Sequence, residues 1–328
     1  MITPILQLND LSIGYCDQRP HKVVHEHINL TLCRGELTCL LGTNGAGKST
    51  LLKTLGGFQS QLQGEILLDG TEMHLIPRKE LAKQLGVVLT DHIVSGNLTV
   101  YELVSFGRYI YTGFFGKLSS VDHQAVVDAL QCVGIESFAH RNLSELSDGE
   151  RQKVMIAKAI AQETPLILLD EPTAFLDLSS RVEIMLLLRK LASEQGKTVL
   201  LSTHDLDLAL QLADKIWLIA KHRIIACGVP EDLALAGSFN SYFDKESLSF
   251  DLQTGNFRIY NELRLEVSLS VDALSRVWIE KALVRKGFKI VDNPCRLSIT
   301  QNAEGFFVEK NDEVISAHSI EDILLALN

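Results

Sequence analysis

The sequence predicts an α/β fold, in which helices cover a mixed sheet, followed by a small α+β domain. Three observations support this prediction. An apolar run at 37–41 leads into a glycine-rich loop at 42–49, and a helical pattern follows the loop. Strand and helix patterns alternate between residues 166 and 219, as they do in parallel sheets with crossover helices. The composition changes near Gly237, where a second set of short elements begins.

Before residue 163 the patterns change from strands to helices. Short apolar runs separated by turns indicate strands on both sides of the loop. Farther along, helical patterns dominate and predict a helical subdomain at about 92–162. The elements predicted here are strands in the first 65 residues and at 64–70 and 86–89, and helices at 50–55, at 78–84 and from 98 onwards.

From residue 166 the chain repeats a strand–helix unit. Each strand pattern is short and apolar, as expected for strands buried on both faces of a parallel sheet. The helices between them supply the crossover connections that parallel strands need. The predicted strands are 166–169, 198–202 and 215–219, and the predicted helices are 179–194 and 205–213.

The last ninety residues predict a separate α+β domain. Residues 237–256 are rich in Ser, Asp, Asn and Gly and indicate a linker or an irregular lead-in. We therefore expect domains at 1–236 and 237–328, and we find no chemical motif in the second. Its helix at 273–286 is expected to carry Leu274, Val277, Trp278 and Ala282 on one face. The other predicted elements are strands at 265–271, 296–300, 305–309 and 313–317, and a helix at 319–327.

Composition and charge narrow the function classes. The 328-residue chain is 46% hydrophobic, which is enough for a core, and its net charge of −10 gives no basic surface for nucleic acid. No apolar run approaches the roughly 20 residues that span a bilayer. The N-terminus lacks the features of a signal peptide, and the six cysteines form no C-x-x-C pair. We expect a cytoplasmic protein that reaches any membrane through a partner and does not bind nucleic acid.

The loop at 42–49 is the most specific motif. It reads Gly42-Thr43-Asn44-Gly45-Ala46-Gly47-Lys48-Ser49 and matches G-x-x-x-x-G-K-[ST], the phosphate-binding loop of nucleotide hydrolases. Its glycines let backbone N–H groups point at phosphate oxygens, Lys48 brings positive charge to the β- and γ-phosphates, and Ser49 offers a hydroxyl to Mg²⁺. The helix that starts near Thr50 adds a favourable dipole. A nucleoside triphosphate with Mg²⁺ is the predicted ligand.

Two later core strands end in polar residues. The strand at 166–169 is followed by Asp170 and Glu171, and the strand at 198–202 is followed two residues later by His204. Carboxyl ends of parallel strands meet in the crevice where such sheets bind ligands. We predict that Asp170 holds Mg²⁺ and that Glu171 orients or deprotonates the attacking water. His204 is placed to contact a γ-phosphate, although a lone histidine is more often structural.

Two further features leave alternatives open. Ser147 and Glu150 fit a capping box at the start of a helix. The segment is either a capped helix end alone or a second anion site made by Ser147 and the Gly149 N–H. His25 and His27 are expected to share one face of a strand. No carboxylate or thiol pattern completes a metal site there, so solvated or satisfied histidines are the favoured interpretation.

In their order along the chain these motifs resemble the ATP-binding subunit of ABC transporters. The resemblance covers about residues 5–230 and rests on the phosphate loop, on 146–152 as the signature motif, on Asp170-Glu171, on the loop at 174–177 and on His204. Tyr15 lies where the family stacks an aromatic ring on adenine. The resemblance implies a P-loop NTPase of the ABC cassette type that hydrolyses ATP with Mg²⁺.

The resemblance also implies partners. Members of the family pair head to tail as homodimers, so Ser147 and Gly149 of one copy would contact the γ-phosphate of ATP held by the other copy. Transmembrane permease subunits would place the chain at the inner face of the cell membrane. Residues 98–109 are similar to the subgroup that serves importers of iron–siderophore complexes, haem and cobalamin, which implies, indirectly, a substrate-binding protein.

The chain departs from the family pattern at two places. Thr90 stands where the family usually has a Gln that helps to bind Mg²⁺ and water, and Asp91 is a candidate replacement. Asp148 and Glu150 stand in the signature motif where Gly and Gln are common, and their charge should weaken ATP-driven closure unless the side chains point away.

Two other functions compete with the importer subunit. One is a soluble ABC ATPase that acts on ribosomes or DNA, which the acidic charge and the single cassette disfavour. The other is a regulatory subunit with weak hydrolysis, which the intact Lys48, Asp170, Glu171 and His204 disfavour.

Overall fold

The computed structural model describes residues 3–15, 22–89, 97–113, 115–221, 223, 225–243, 248–259, 265–293, 295–303, 305–310 and 313–327. The chain forms two compact units. One comprises Met1–Asp244 and Phe250–Asn256, and the other comprises Lys245–Ser249 and Phe257–Asn328. Within the described ranges, no helix is both long enough and apolar enough to cross a bilayer.

The elements follow the chain order. The strands are β1 (Pro4–Tyr15), β2 (Lys22–Cys33), β3 (Leu37–Gly42), β4 (Gln63–Leu68), β5 (Thr71–Glu72), β6 (Leu85–Val88), β7 (Leu166–Leu169), β8 (Thr198–Thr203), β9 (Lys215–Ile219), β10 (Ala226–Gly228), β11 (Leu248–Asp251), β12 (Asn256–Ile259), β13 (Leu265–Ser270), β14 (Phe288–Val291), β15 (Leu297–Asn302), β16 (Gly305–Lys310) and β17 (Glu313–Ala317). The α-helices are α1 (Lys48–Leu55), α2 (Arg78–Gln84), α3 (Val100–Ser105), α4 (Ser120–Cys132), α5 (Asp148–Ala161), α6 (Leu178–Ser193), α7 (Leu206–Leu212), α8 (Pro230–Leu235), α9 (Ser238–Tyr242), α10 (Ala273–Arg285) and α11 (Ile320–Leu327).

A six-stranded sheet forms the centre of the first unit. Its order is β10-β9-β3-β8-β7-β6, and all neighbours are parallel except β10, which runs antiparallel to β9. Every residue of β3, β7 and β8 is buried, which explains why these strands read as continuous apolar runs. The predicted α/β fold with a mixed sheet is confirmed.

A second, antiparallel sheet packs against the first. Its order is β2-β1-β4-β5, and its apolar side chains share one core with the six-stranded sheet. Leu6 and Leu32 come from the antiparallel sheet, whereas Leu40, Leu200 and Trp217 come from the parallel sheet, and all five are at most 1% exposed. Full burial of such side chains contributes about 1.5–3 kcal/mol each. The strand that precedes the phosphate loop is therefore packed against the antiparallel sheet through Leu40.

The helices α3, α4 and α5 pack together around a buried guanidinium group. Arg108 lies in a 3₁₀ turn and is 3% exposed. Its Nε donates to Asp122 Oδ1 on α4 at 3.0 Å, and its Nη1 donates to Glu163 Oε2 at 2.6 Å. The preceding Gly107 is required because a Cβ there would lie 2.4 Å from the carbonyl oxygen of Lys158 on α5. Arg108 thus ties the helical region together.

The second unit has its own core under a five-stranded sheet. The order is β14-β13-β15-β16-β17, with the first three strands parallel and the last three antiparallel. On α10 the fully buried positions are Ile279 and Leu283, whereas Leu274 is 73% and Trp278 is 57% exposed. The predicted helix is present. Of the face expected for it, Ala282 is buried, but Leu274, Val277 and Trp278 are exposed.

Two local predictions are wrong. Residues 237–256 are not irregular throughout, since they contain α9 and β11, and Phe239 on α9 packs against Phe250 with ring centroids 4.8 Å apart. His25 and His27 do not share a face. His27 has a φ of +56°, and the register of β1 and β2 shifts there as a bulge. His27 is therefore exposed, 2.6 Å from Asp10, while His25 is buried.

Replacing Arg108 by Ala is expected to lower the free energy of unfolding of the first unit by about 3–5 kcal/mol, because Asp122 would stay buried without its partner. Chemical denaturation followed by far-UV circular dichroism measures the loss.

Arg34→Ala is the matched control, since the Arg34–Asp69 pair is 39% and 52% exposed. An exposed pair contributes at most about 1 kcal/mol. Equal losses in the two variants would contradict a special role for burial at Arg108.

Candidate nucleotide-binding and catalytic site

The phosphate loop connects β3 to α1 and is shaped by close backbone approaches. Gly42, the last residue of β3, lies so near β9 that a Cβ would be 2.2 Å from the carbonyl oxygen of Ile219. Gly47 precedes α1 with a φ of +103°, and a Cβ there would be 2.6 Å from Val24 Cγ1 on β2. A residue with a side chain would clash at either position. The glycines of the motif are therefore required by packing as well as by the close approach of phosphate.

Lys48, the first residue of α1, holds a buried positive charge. The residue is 5% exposed, and its Nζ donates to the carbonyl oxygen of Gly42 at 3.0 Å. The same atom lies 3.3 Å from His204 Nε2 and 3.9 Å from Glu171 Oε1. Burial lowers the pKa of Lys48, and the carboxylates of Glu171 and Asp170 act in the opposite direction. A buried ammonium group at a helix N-terminus strongly favours a phosphate anion.

The two acids after β7 meet the loop. Asp170 is 5% exposed and accepts a hydrogen bond from Ser49 Oγ at 3.2 Å. Glu171 Oε1 lies 2.8 Å from His204 Nε2, which follows the neighbouring strand β8. The structure therefore brings together Lys48, Ser49, Asp170, Glu171 and His204, all of which the sequence predicted for one crevice. Their individual roles stay predictions.

A cleft of about 470 Å³ opens beside the loop. Tyr15 and Thr50 both line it, with the Tyr15 hydroxyl 3.3 Å from Thr50 Oγ1. Two cations also line it, Lys22 at the start of β2 and Lys221 just after β9. Neither lysine was predicted, because no sequence pattern tells which strand ends lie next to the loop. Their charges add to that of Lys48 around a polyanionic ligand.

His25 supports the phosphate loop, a role that its sequence context does not indicate. His25 is 6% exposed, and its Nε2 lies 2.6 Å from the carbonyl oxygen of Ala46. It is a satisfied histidine, as favoured above, but its partner is the phosphate loop. The bulge in β2 separates His25 from His27, so His25 is buried beside the loop whereas His27 is exposed.

The signature segment starts α5 with a complete capping box. Ser147 Oγ accepts from the Glu150 N–H at 3.3 Å and donates to Glu150 Oε2 at 2.8 Å. The backbone N–H of Ser147, which donates to Glu150 Oε2 at 2.7 Å, and the Ser147 hydroxyl group both lower the pKa of Glu150. Asp148 is paired with Arg151 at 3.1 Å on the surface. The predicted capping box is therefore present. Ser147 and Gly149 do not line the cleft beside their own chain's phosphate loop, and the anion site stays a prediction.

Thr90 and Asp91 lie outside the described residues. Their proposed replacement of the family's Gln therefore remains a prediction from the sequence.

The fold and this cluster define a phosphate-loop nucleotide hydrolase. A family model described as ABC transporter matches residues 25–174, and a model described as iron ABC transporter C-terminal domain matches residues 264–328. An uncharacterized ABC transporter ATP-binding protein of Methanocaldococcus jannaschii is 42% identical over 78% of this chain and 87% of its own length. The iron(3+)-hydroxamate import ATP-binding protein of Bacillus subtilis is 39% identical over 68% of this chain and 81% of its own length.

Solved structures agree with this assignment. A dimeric ATP-binding cassette bound to ADP and Pi in a post-hydrolysis state is similar with a TM-score of 0.58 and 29% identity, covering 66% of this chain and 97% of that chain. The chain belongs to the ATP-binding proteins of ABC transporters. It is an ATP-binding ATPase of that family.

Replacing Gly47 by Ala is expected to weaken MgATP binding by about tenfold or more, because the new methyl group must displace either β2 or the loop. Loss of one hydrogen bond to a charged phosphate, worth about 1.5–3 kcal/mol, is sufficient for this change. Equilibrium titration with a fluorescent ATP analogue measures it.

Gly70→Ala is the matched control, with a φ of +77° and no atom within 4 Å of the added Cβ. It should carry a similar backbone penalty of about 1 kcal/mol and leave the affinity for nucleotide unchanged. Equal losses of nucleotide affinity in the two variants would show that backbone strain at a positive φ, rather than the location of Gly47 in the phosphate loop, causes the weaker binding.

Proposed function

We propose that this chain is the ATP-hydrolysing subunit of an ABC importer for iron–siderophore, haem or cobalamin-type substrates. The observation that carries the enzymatic part is the cluster of Lys48, Ser49, Asp170, Glu171 and His204 at one sheet edge. The substrate class draws on relatives. Besides the hydroxamate importer protein, the ferric enterobactin transport ATP-binding protein of Escherichia coli is 35% identical over 70% of this chain and 84% of its own length.

The nucleotide is proposed to lie along the cleft. Tyr15 would stack on adenine, and the loop from Gly42 to Ser49 together with Thr50 would bind the phosphates. The domain at 1–236 would thus bind the nucleotide, and 237–328 would be an accessory domain.

The chemistry at the γ-phosphate follows from the same geometry. Ser49 and Asp170 offer neighbouring oxygen ligands of the kind that Mg²⁺ prefers, so these residues fit the ion. Mg²⁺ would neutralise charge on the phosphates. Glu171 would orient or deprotonate the attacking water, with its carboxylate held by His204. Lys48 stabilises charge that develops on the transferred phosphoryl group.

Head-to-tail pairing would complete the site. Ser147 and Gly149 do not line the cleft beside their own chain's loop, and they lie at the N-terminal end of α5, where a γ-phosphate from a second copy is favoured. The acids of the signature segment are engaged within the chain, Glu150 by Ser147 and Asp148 by Arg151. ATP would favour the closed homodimer because it contacts both copies, and hydrolysis would remove that difference.

Transport requires further partners. We propose that transmembrane permease subunits bind the cassette at the inner face of the cell membrane, and that a substrate-binding protein acts on them from the other side. Tyr109 and Tyr111, in and next to the segment that resembles the importer subgroup, are 54% and 39% exposed. Exposed tyrosines are typical of protein interfaces. No nucleic-acid partner is proposed.

Mixing two inactive variants tests the head-to-tail site. In the proposed dimer each site uses Lys48 of one copy and Ser147 of the other. Lys48→Ala and Ser147→Arg should each abolish hydrolysis, whereas mixed dimers should recover activity because one of their two sites is intact. Steady-state ATPase assays across mixing ratios measure the recovery.

Lys48→Ala mixed with Glu171→Gln is the control, because both residues belong to the same half-site. This mixture should stay inactive, with hydrolysis at least about 100-fold below the parent. Recovery in both mixtures, or in neither, would contradict head-to-tail completion. Parental activity of Glu171→Gln alone would exclude Glu171 as the base.

Co-purification tests the transport assignment. Tagged full-length chain should be recovered from detergent-solubilised membranes together with integral membrane subunits, and Lys48→Ala should be recovered equally because docking does not require hydrolysis. Iron-chelate uptake should fall in cells that carry the Lys48→Ala variant alone. Recovery only with ribosomes or in soluble fractions would contradict the importer function.

A further inference from the structure

The hydroxyl group of Ser202 bridges the two acids that follow β7. Ser202 is the next-to-last residue of β8 and is fully buried. Its Oγ donates to Asp170 Oδ1 at 2.7 Å and accepts from the backbone N–H of Glu171 at 2.8 Å. A single side chain from one strand thus contacts both the carboxylate of one acid and the backbone of the next.

The backbone of Glu171 needs such a partner. Its φ is +49°, a left-handed conformation that a non-glycine residue keeps only where its surroundings fix it. The ladder between β7 and β8 ends at the pair Leu169–Leu201, so the N–H of Glu171 lies beyond the last pair of the sheet. Ser202 Oγ supplies the acceptor that the ladder does not.

The carboxylate of Asp170 is oriented from two elements. Its Oδ1 accepts from Ser202 on β8 and from Ser49 on α1. Two donors on one oxygen, one fixed in a sheet and one in a helix, restrict rotation of the carboxylate. The backbone N–H of Asp170 is held separately by the carbonyl oxygen of Val88 at 2.8 Å.

We propose that Ser202 is a positioning residue for ATP hydrolysis. It fixes the carboxylate of Asp170 for the metal ion and the backbone turn from which Glu171 reaches the attacking water. This inference rests on the roles proposed above for Asp170 and Glu171. Ser202 does not line the nucleotide cleft, so it acts through these two residues and leaves the binding of ATP itself to the loop.

Ser202→Ala in the full-length chain tests the proposal. The substitution leaves the Glu171 N–H without its acceptor and removes one donor from Asp170. We expect kcat to fall by about 10- to 100-fold, as for lost hydrogen bonds to charged groups. The Mg²⁺ concentration for half-maximal rate should rise, while the affinity for ATP measured without Mg²⁺ should change by less than about threefold.

Two further variants at this position separate positioning from folding. Ser202→Thr retains a hydroxyl and should recover most of kcat and the parental Mg²⁺ response. Ser202→Cys retains the size with a weaker hydrogen-bonding group and should give an intermediate kcat. Thermal unfolding midpoints identify any variant whose loss of activity reflects loss of fold.

Thr38→Val is the matched control. Thr38 is fully buried on the adjacent strand β3, and within the described residues its hydroxyl has no hydrogen-bond partner. The variant should keep the parental kcat and Mg²⁺ response.

A double variant distinguishes failure of this inference from failure of the proposed function. If Ser202 acts through Glu171, Ser202→Ala should reduce single-turnover hydrolysis much less in the Glu171→Gln background than in the parent. The higher Mg²⁺ requirement should persist, because it depends on Asp170. If Glu171→Gln alone keeps the parental activity, Glu171 is not the base. The inference about Ser202 would then depend on whether Ser202→Ala raises the Mg²⁺ concentration needed for half-maximal rate. Parental kcat and Mg²⁺ response in Ser202→Ala would overturn the inference.

Discussion

The buried ammonium group of Lys48 is the interaction on which the arrangement of the site depends. A positive charge removed from water must find partners, and here the carbonyl oxygen of Gly42 and the carboxylate of Glu171 supply them. Gly42 ends β3, Glu171 follows β7, and His204 follows β8. These strands are neighbours in the order β3-β8-β7, so the sheet topology brings all three residues next to Lys48. The same arrangement brings together the groups proposed above for hydrolysis.

Capping boxes show why a motif must be read with its surroundings. The helices α3, α4 and α5 all begin with one, formed by Thr99 and Glu102, by Ser119 and Asp122, and by Ser147 and Glu150. The first two satisfy helix ends, and Asp122 also holds the buried Arg108. The box at Ser147 is therefore no sign of an anion site by itself. What sets it apart is its place in the signature motif.

Much of the fold and site could be predicted because their signals are local. Strands buried on both faces produce apolar runs, and the polar residues that end them mark the crevice. Ser202 and Asp170 lie 32 positions apart, and their contact depends on strand order and register, which no local pattern encodes. A bulge, which the sequence does not reveal, turns His27 away from the face that carries His25. On α10 apolar residues lie on several sides, so periodicity could not choose between Trp278 and Ile279 as the buried position.

The contact between His25 and Ala46 joins the antiparallel sheet to the phosphate loop. Packing of β2 therefore helps to hold the loop in its final shape, so the geometry of the nucleotide site depends on both sheets. By linkage, a ligand that binds only the assembled state stabilises every contact needed for that state. At a concentration 100 times its dissociation constant, ATP would add about 2.7 kcal/mol to the folded cassette. Bound ATP would thus stabilise the folded cassette in addition to being its substrate for hydrolysis.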